Sequence, residues 1–454
     1  MFLNLLQIST YKDLLNLIKM IWLSLLLTLS FSGVTFVVIH YLLKRRYKKS
    51  LFSFIKISIK KFHGKHIKIK KFFAISALLL LIGTIVFGWY NLTNRLLYFR
   101  NISGSVEWRS SNGQDYLYVE AGDAYSLGYL TGREASFKIA MMKEFLLGSS
   151  LLLGMNYFDL IEMAEKYAKF IPNDYLEEIR GISEGSTAGS GFYISFEDIL
   201  VQAVFFEIIY GQLDPKTENF AACTAFGAID KDNKSIIGQN IDLAKPMVPY
   251  GYFVLHKLNN NPKVFTYRLG GCPGFPMGKN ELGLTIVMNL VKTKEKASLI
   301  TPLFVKIREG LAKEEKAANL YERIFPKNQS PYGLNFLFAD KYSIVAIQAL
   351  PSAQNVSFVD SMKVHSNTYL IEEWRDKLYD SDYSNERQEY AEEILKDTYE
   401  KNELNNRKLL DLLSDKPIIC RDEDGILGIK TSAFITGKYF GCGTTNDAIG
   451  TIPL

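Results

Sequence analysis

Histidine and cysteine are scarce in this chain, with five and four residues among 454. Beyond residue 90 only His256 and His365 remain. A Ser-His-Asp triad or a papain-like Cys-His pair would have to take one of those two as its base. Neither H-E-x-x-H nor C-x-x-C occurs, and His63 and His66 have no acid or cysteine nearby, so no metal and no cofactor is expected. Four cysteines are too few for a disulfide framework. Cys420 and Cys442 can pair in an oxidising compartment, but the sequence leaves that open.

Charge is absent from two long stretches. Residues 20–43 and 72–90 contain no Asp, Glu, Lys or Arg, and each is long enough to cross a bilayer as a helix. Buried core helices are the alternative, and the flanking charge opposes it. Residues 44–71 carry twelve Lys or Arg and no acid, which places this loop on the cytoplasmic side and everything beyond it outside. A cleaved signal peptide fits poorly, because nineteen residues without a basic cluster precede the first run. The expectation is a cell-membrane protein with two spans and an extracytoplasmic catalytic domain. The net charge of +5 divides as +13 for residues 1–90 and −8 for the rest. An acidic outer part argues against nucleic-acid binding, and the basic loop suits anionic lipid headgroups.

The most informative feature lies beyond these segments. Cys223 opens the apolar run Cys223-Thr224-Ala225-Phe226, which passes through the polar turn Asp230-Lys231-Asp232-Asn233-Lys234 and returns to Asp242. This predicts a hairpin with Cys223 at the head of one strand and Asp242 at the end of the other, side by side. A thiol beside a carboxylate needs another group to take its proton. An α-amine freed by cleavage before Cys223 can do so, since its pKa is near 8.

This constellation resembles the cysteine branch of the N-terminal-nucleophile hydrolases, which holds penicillin acyltransferase, bile-salt hydrolases and acid ceramidases. Further motifs follow in order. Glu178-Ile-Arg-Gly-Ile-Ser-Glu-Gly185 with Asp198-Ile-Leu is similar to the helix pair of the acyltransferase-like family. Gly278-Lys-Asn-Glu-Leu-Gly-Leu284 with Asn289, His365-Ser-Asn367, Ser384-Asn-Glu-Arg387, Leu413-Ser-Asp-Lys416 and Ile419-Cys-Arg421 track its later motifs. Lys416 departs from the family's His, and Ala222 from its frequent Gly. The set spans roughly residues 120–435.

The resemblance implies an α+β, four-layer α-β-β-α sandwich preceded by the two membrane helices. It implies three parts: an anchor (1–90), a helical α-chain (91–222) and a catalytic β-chain (223–454) that stay associated after cleavage between Ala222 and Cys223. Cys223 would be nucleophile and agent of self-cleavage. Asp242 would orient the amine, and Asn289 and Asn367 would hold the oxyanion. Asn240, on the same strand face as Asp242, and Gln239 are the substrate-side candidates, with tuning of Asp242 the alternative for Asn240. Ceramidase-like and bile-salt-hydrolase-like members carry Arg where Gln239 stands, so the acyltransferase-like branch is favoured.

Periodicity predicts helices over about 134–150, 156–170, 196–210, 300–324 and 384–414, and strands from Cys223 onward, including one over about 355–365. Glu207 within the third helix is expected to make a buried structural hydrogen bond. Arg308 and Arg387 fall in predicted helices and are expected at the surface. Gly270-Gly271-Cys272-Pro273-Gly274 lacks the Lys-Ser/Thr of a phosphate loop and suits a pocket wall. The functional expectation is an enzyme cleaving a linear amide through an acyl-cysteine, with a small-molecule amide or N-acyl substrate. A ceramidase-like lipid amidase and a silent binding protein of the same fold are the alternatives.

Overall fold

Apolar runs after residue 221 build strands buried on both faces, as over Val264–Leu269, Thr285–Val291 and Gly333–Ala339. The computed structural model describes residues 101–111, 114–152, 154–213, 221–275, 277–325, 329–379, 382–416, 418–420, 429–435 and 438–441. Compact packing divides the chain into Met1–Asn101 and Ile102–Leu454. Both uncharged stretches and the basic loop lie outside the described residues, as does Cys442. Among the described residues no helix is long and apolar enough to cross a membrane.

In chain order, β1 (Gly104–Ser111) and β2 (Gln114–Ala121) lead into α1 (Ala124–Glu134), α2 (Ser136–Leu152), α3 (Tyr157–Ala168), α4 (Asn173–Ser190) and α5 (Phe196–Phe206). A π-helical turn over Glu207–Gln212 continues α5. Next come β3 (Ala221–Ile229), β4 (Ser235–Ala244), β5 (Gly251–Leu258), β6 (Val264–Leu269), β7 (Gly278–Asn280) and β8 (Thr285–Val291). Helices α6 (Leu303–Lys313) and α7 (Ala317–Ile324) precede β9 (Gly333–Ala339), β10 (Ile344–Leu350), β11 (Ala353–Phe358) and β12 (Met362–His365). The chain continues through α8 (Asp382–Glu400), α9 (Asn406–Leu413), β13 (Ile429–Ile435) and β14 (Lys438–Gly441).

One sheet has the order β1-β2-β5-β6-β7-β8-β9-β10-β11 and the other β12-β3-β4-β13-β14. Helices α1, α6 and α7 pack on the first, α8 and α9 on the second, and β3 and β4 face β8 and β9 between them. The result is a mixed α+β fold with helices outside two facing sheets. Three expected elements are divided. The helix over 300–324 breaks at Glu314, whose backbone is extended. The helix over 384–414 breaks near Asn402, at φ 55°, before Asn405 caps α9 by accepting from the Lys408 N–H. The strand over 355–365 is two strands in different sheets, β11 paired with β10 and β12 with β3.

The glycine spacing of the Glu178–Gly185 motif has a packing cause. A Cβ on Gly181 would lie 2.2 Å from the Tyr125 carbonyl oxygen, and one on Gly128 2.0 Å from that of Glu178. Helices α1 and α4 therefore touch backbone to backbone, which only glycine permits. Glu178 itself is buried and accepts from Arg268 Nη2 at 3.0 Å and Arg308 Nη1 at 2.6 Å. Arg308 is thus a buried tie between α6 and α4, not the surface residue expected. Its stripe Phe304–Ile307–Arg308–Leu311 turns it to the sheet.

Glu207 is buried and accepts from the Leu303 N–H at 2.8 Å, capping α6. Burial pushes its carboxyl up to about 7 from an ordinary 4.5. The folded chain therefore keeps a proton that the unfolded chain loses above 4.5. Stability is full below that value and is lost as the pH rises through 7, by about 3 kcal/mol. Glu207→Gln keeps the acceptor for Leu303 and removes the charge. Its thermal midpoint should exceed wild type above about pH 8 and match it near pH 4.5. A difference that does not vary with pH would contradict this.

Candidate active site

The β3–β4 hairpin forms because Asp230 closes its turn. Asp230 Oδ1 accepts from the N–H groups of Asp232 and Lys234, and Asn233 takes the left-handed conformation at φ 55°. The register pairs Cys223 with Ile241, Ala222 with Asp242 and Ala225 with Gln239. Asp242 consequently lies across from the residue before Cys223, beside the Ala222–Cys223 bond.

Strand alternation sorts these residues by face. Cys223, Ala225 and Gln239 look toward the larger sheet, where the Gln239 side chain bonds the Met288 main chain at both its carbonyl and its N–H. Thr224 and Phe226 look outward to α8 and α9. Asn240 also looks outward, and its Nδ2 donates to the carbonyls of Leu413 at 2.6 Å and Ile419 at 3.0 Å. It anchors the end of α9, so the amide expected on the substrate side is taken up by main-chain carbonyls. This accounts for the Leu413–Cys420 motif, whose carbonyls receive it.

Asn367 is the amide at Cys223. Its Oδ1 accepts from the Cys223 N–H at 2.8 Å and from Arg387 Nη2 at 2.6 Å, while its Nδ2 donates to the Leu290 carbonyl at 2.5 Å. Two donors on one end and an acceptor on the other fix the amide's orientation. The nitrogen keeps a second hydrogen. Asn289 is buried nearby, but its Nδ2 donates to the His365 carbonyl at 2.8 Å. Its partner across β8–β9, Asn335, donates to the carbonyls of Ser366 at 3.1 Å and Thr368 at 2.7 Å. The two asparagines therefore hold the segment that carries Asn367, one on each adjacent strand.

Arg387 was expected at the surface and is fully buried. Its Nη1 donates to the Cys223 carbonyl at 2.7 Å and to Thr224 Oγ1 at 2.9 Å. Ser384 and Gln388 on the same helix bond Ser366, so α8 docks on the 365–368 segment. The spacing that could have placed it inside is Arg387–Ala391–Leu395, one face of α8.

Burial pushes the Cys223 thiol up to about 12, and the Asp242 carboxylate pushes the same way. The Arg387 guanidinium, the Leu290 N–H and the Gln239 side chain oppose this. The thiol of the intact chain is therefore protonated at neutral pH and needs a base. His365 is no candidate. Burial, with Lys363 nearby, lowers it to about 3, and neither ring nitrogen has a hydrogen-bond partner. Cys272, the other free thiol described, is buried against the Ala203 and Gly274 carbonyls. Among the described residues no His, Cys, Asp and Glu group is arranged to hold a metal ion. A cavity of about 300 Å³ opens beyond the ends of β8, β9 and β10, the end that carries Leu290, between Lys296, Ser298, Gln329, Ser330 and Ser352.

An uncharacterized protein of Archaeoglobus fulgidus is 27% identical over 150 residues, covering 28% of this chain and 24% of that protein. The chain thus spans about a quarter of that relative's length. Among solved structures, a Caenorhabditis elegans N-acylethanolamine-hydrolyzing acid amidase ortholog aligns at TM-score 0.37 and 15% identity, covering 47% of this chain and 93% of that one. A mutant conjugated bile acid hydrolase from Clostridium perfringens aligns at 0.35 and 12%, covering 50% and 90%. The family match spans residues 229–426, which include Asp242, Asn289, Asn367 and Arg387 and begin six residues after Cys223. The match is to the acyl-coenzyme A:6-aminopenicillanic acid acyl-transferase family and covers less than half of the chain.

Proposed function

We propose that this is a membrane-anchored, self-processing cysteine amidase or acyltransferase that cleaves linear amides through an acyl-Cys223 intermediate. The observation that carries the reading is the clamp on Cys223. Asn367 receives its N–H, Arg387 holds its carbonyl, and the thiol lies against the Leu290 N–H and Gln239.

Maturation would begin with the Cys223 sulfur attacking the Ala222 carbonyl carbon. A C–S bond forms, the Ala222–Cys223 C–N bond breaks, and the nitrogen takes a proton to become the α-amine of Cys223. Water then hydrolyses the thioester, leaving a carboxylate on Ala222 and a free thiol. In turnover that amine, titrating near 8, accepts the thiol proton. Asp242, across from Ala222 in the strand register, would orient it. The second hydrogen on Asn367 Nδ2 is available to the oxyanion, the amine product leaves with a proton, and water or an amine takes the acyl group. Gln239 braces the thiol. Asn289 and Asn335 act as positioning residues.

Acid-quenching the enzyme during turnover of an N-acyl amide should yield a peptide beginning at Cys223 that carries the acyl mass, with Cys272 unmodified. Turnover with the acyl group elsewhere would refute the reading. In intact cells, external protease should digest the part beyond residue 91 and spare the 44–71 loop, while protection of the former would refute the topology. Asn335→Ala should lower kcat about tenfold, or about 1.4 kcal/mol, with KM nearly unchanged. An unaltered kcat would show that the 365–368 segment is held without it.

A further inference from the structure

Helix α2 presents an apolar ridge that no other part of the described fold covers. Phe137, Met141, Leu147 and Leu151 are 68%, 37%, 41% and 70% exposed along its length. The start of α3 adds Phe158 at 77%, and the loop after α4 adds Phe192 at 64% and Tyr193 at 72%. These belong to one surface. Lys143 on α2 donates to the Tyr193 carbonyl, and Gly189 near the end of α4 abuts Ser136 at the start of α2. The four aromatic members alone expose on the order of 500 Å², already near the largest patch on a typical monomer at about 300–600 Å².

Two of the three charged side chains of α2 are turned away from the ridge. Lys138 is turned back to the Pro249 and Gly251 carbonyls and Lys143 to Asp198. Glu144, the one acid in the helix, is exposed on the ridge between Met141 and Leu147, as a single charge in an otherwise apolar face. A helix with an apolar face outward and its lysines tied beside it is suited to an interfacial position, with the apolar side chains among lipid acyl chains.

We infer that the α2 ridge rests on the lipid bilayer into which the chain is anchored. This rests on the membrane-anchoring reading, and the length of chain before the described fold favours a lipid surface over other occupants. The second uncharged stretch ends at Tyr90, and ten residues separate it from Asn101. Fully extended they reach about 35 Å, so a fold with an exposed apolar ridge is held within its own diameter of a bilayer. Resting the ridge on lipid removes that surface from water.

The test uses the full chain in vesicles of equimolar phosphatidylcholine and phosphatidylglycerol doped with nitroxide-labelled lipid. An environment-sensitive fluorophore is attached in turn through Phe158→Cys, Leu151→Cys and, as control, Tyr342→Cys, which is exposed in the β9–β10 turn. The ridge positions should be quenched at least threefold more than the control. Equal, weak quenching while the chain resists carbonate extraction would overturn the inference and leave the anchor standing. Ridge quenching in a chain that carbonate extracts would support the ridge and refute the anchor. Fluorescence at the ridge that responds to protein density and not to nitroxide lipid would overturn the inference in favour of a second copy.

Discussion

Cys223→Ala is expected to give one uncut polypeptide of 454 residues with no amide-cleaving activity. Two separate losses combine. The alanine has no sulfur to attack the Ala222 carbonyl, so no α-amine is released, and it has none to carry an acyl group. The fold should survive, because Cys223 is a small buried residue opposite Ile241 and alanine leaves only a minor void. Cys272→Ala serves as the control and should retain both cleavage and turnover, since Cys272 sits against the Gly270–Gly274 loop away from the hairpin. A cut, active Cys223→Ala protein would move the nucleophile elsewhere.

The second large effect concerns Arg387 and Asn367. Asn367→Ala removes the proposed oxyanion donor together with the acceptor for the Cys223 N–H. Loss of one such donor costs about 3–4 kcal/mol of transition-state stabilisation, roughly 10²–10³ in kcat. Arg387→Met should fall in the same range. It leaves the Cys223 carbonyl without its buried donor and removes the one cation that opposes the upward push on the thiol. The two losses should be far from additive, because Arg387 holds the amide oxygen that orients Asn367. His365→Ala should be milder than either, since its neutral imidazole bonds nothing at the thiol. A folded but dead His365→Ala enzyme beside a nearly active Asn367→Ala enzyme would favour a Cys-His pair instead.

The hairpin, the two sheets and the division of helices from strands were legible because they rest on local patterns. Alternation, the Asp230–Lys234 turn and the spacing from Cys223 to Asp242 all act over short stretches of chain. The site was legible only in part. Arg387 sits in a helix rich in Glu, Asp and Tyr whose charge suggests solvent, and its burial appears only on the Arg387–Ala391–Leu395 face. Asn335 interrupts the apolar run Gly333-Leu-Asn-Phe-Leu-Phe-Ala339, buried on both faces. A lone amide there must find partners, which the sequence could have signalled. What those partners are depends on the crossover that takes the chain from β11 to β12. That change of sheet near Asp360 leaves no local mark strong enough to split the 355–365 run.

The position of Asn240 illustrates the same limit. It belongs to a motif in the right order, and order alone does not tell which way a side chain points. Asn240 lies one residue from Gln239, so the two must face opposite layers, and only Gln239 meets the thiol.

Cys223 is proposed to become the amino terminus of the working enzyme. Intact-mass analysis of the purified wild-type protein under denaturing conditions tests it most directly. The expected result is two polypeptides, residues 1–222 and 223–454, that separate only on denaturation. A single uncut chain that still turns over amides would contradict it.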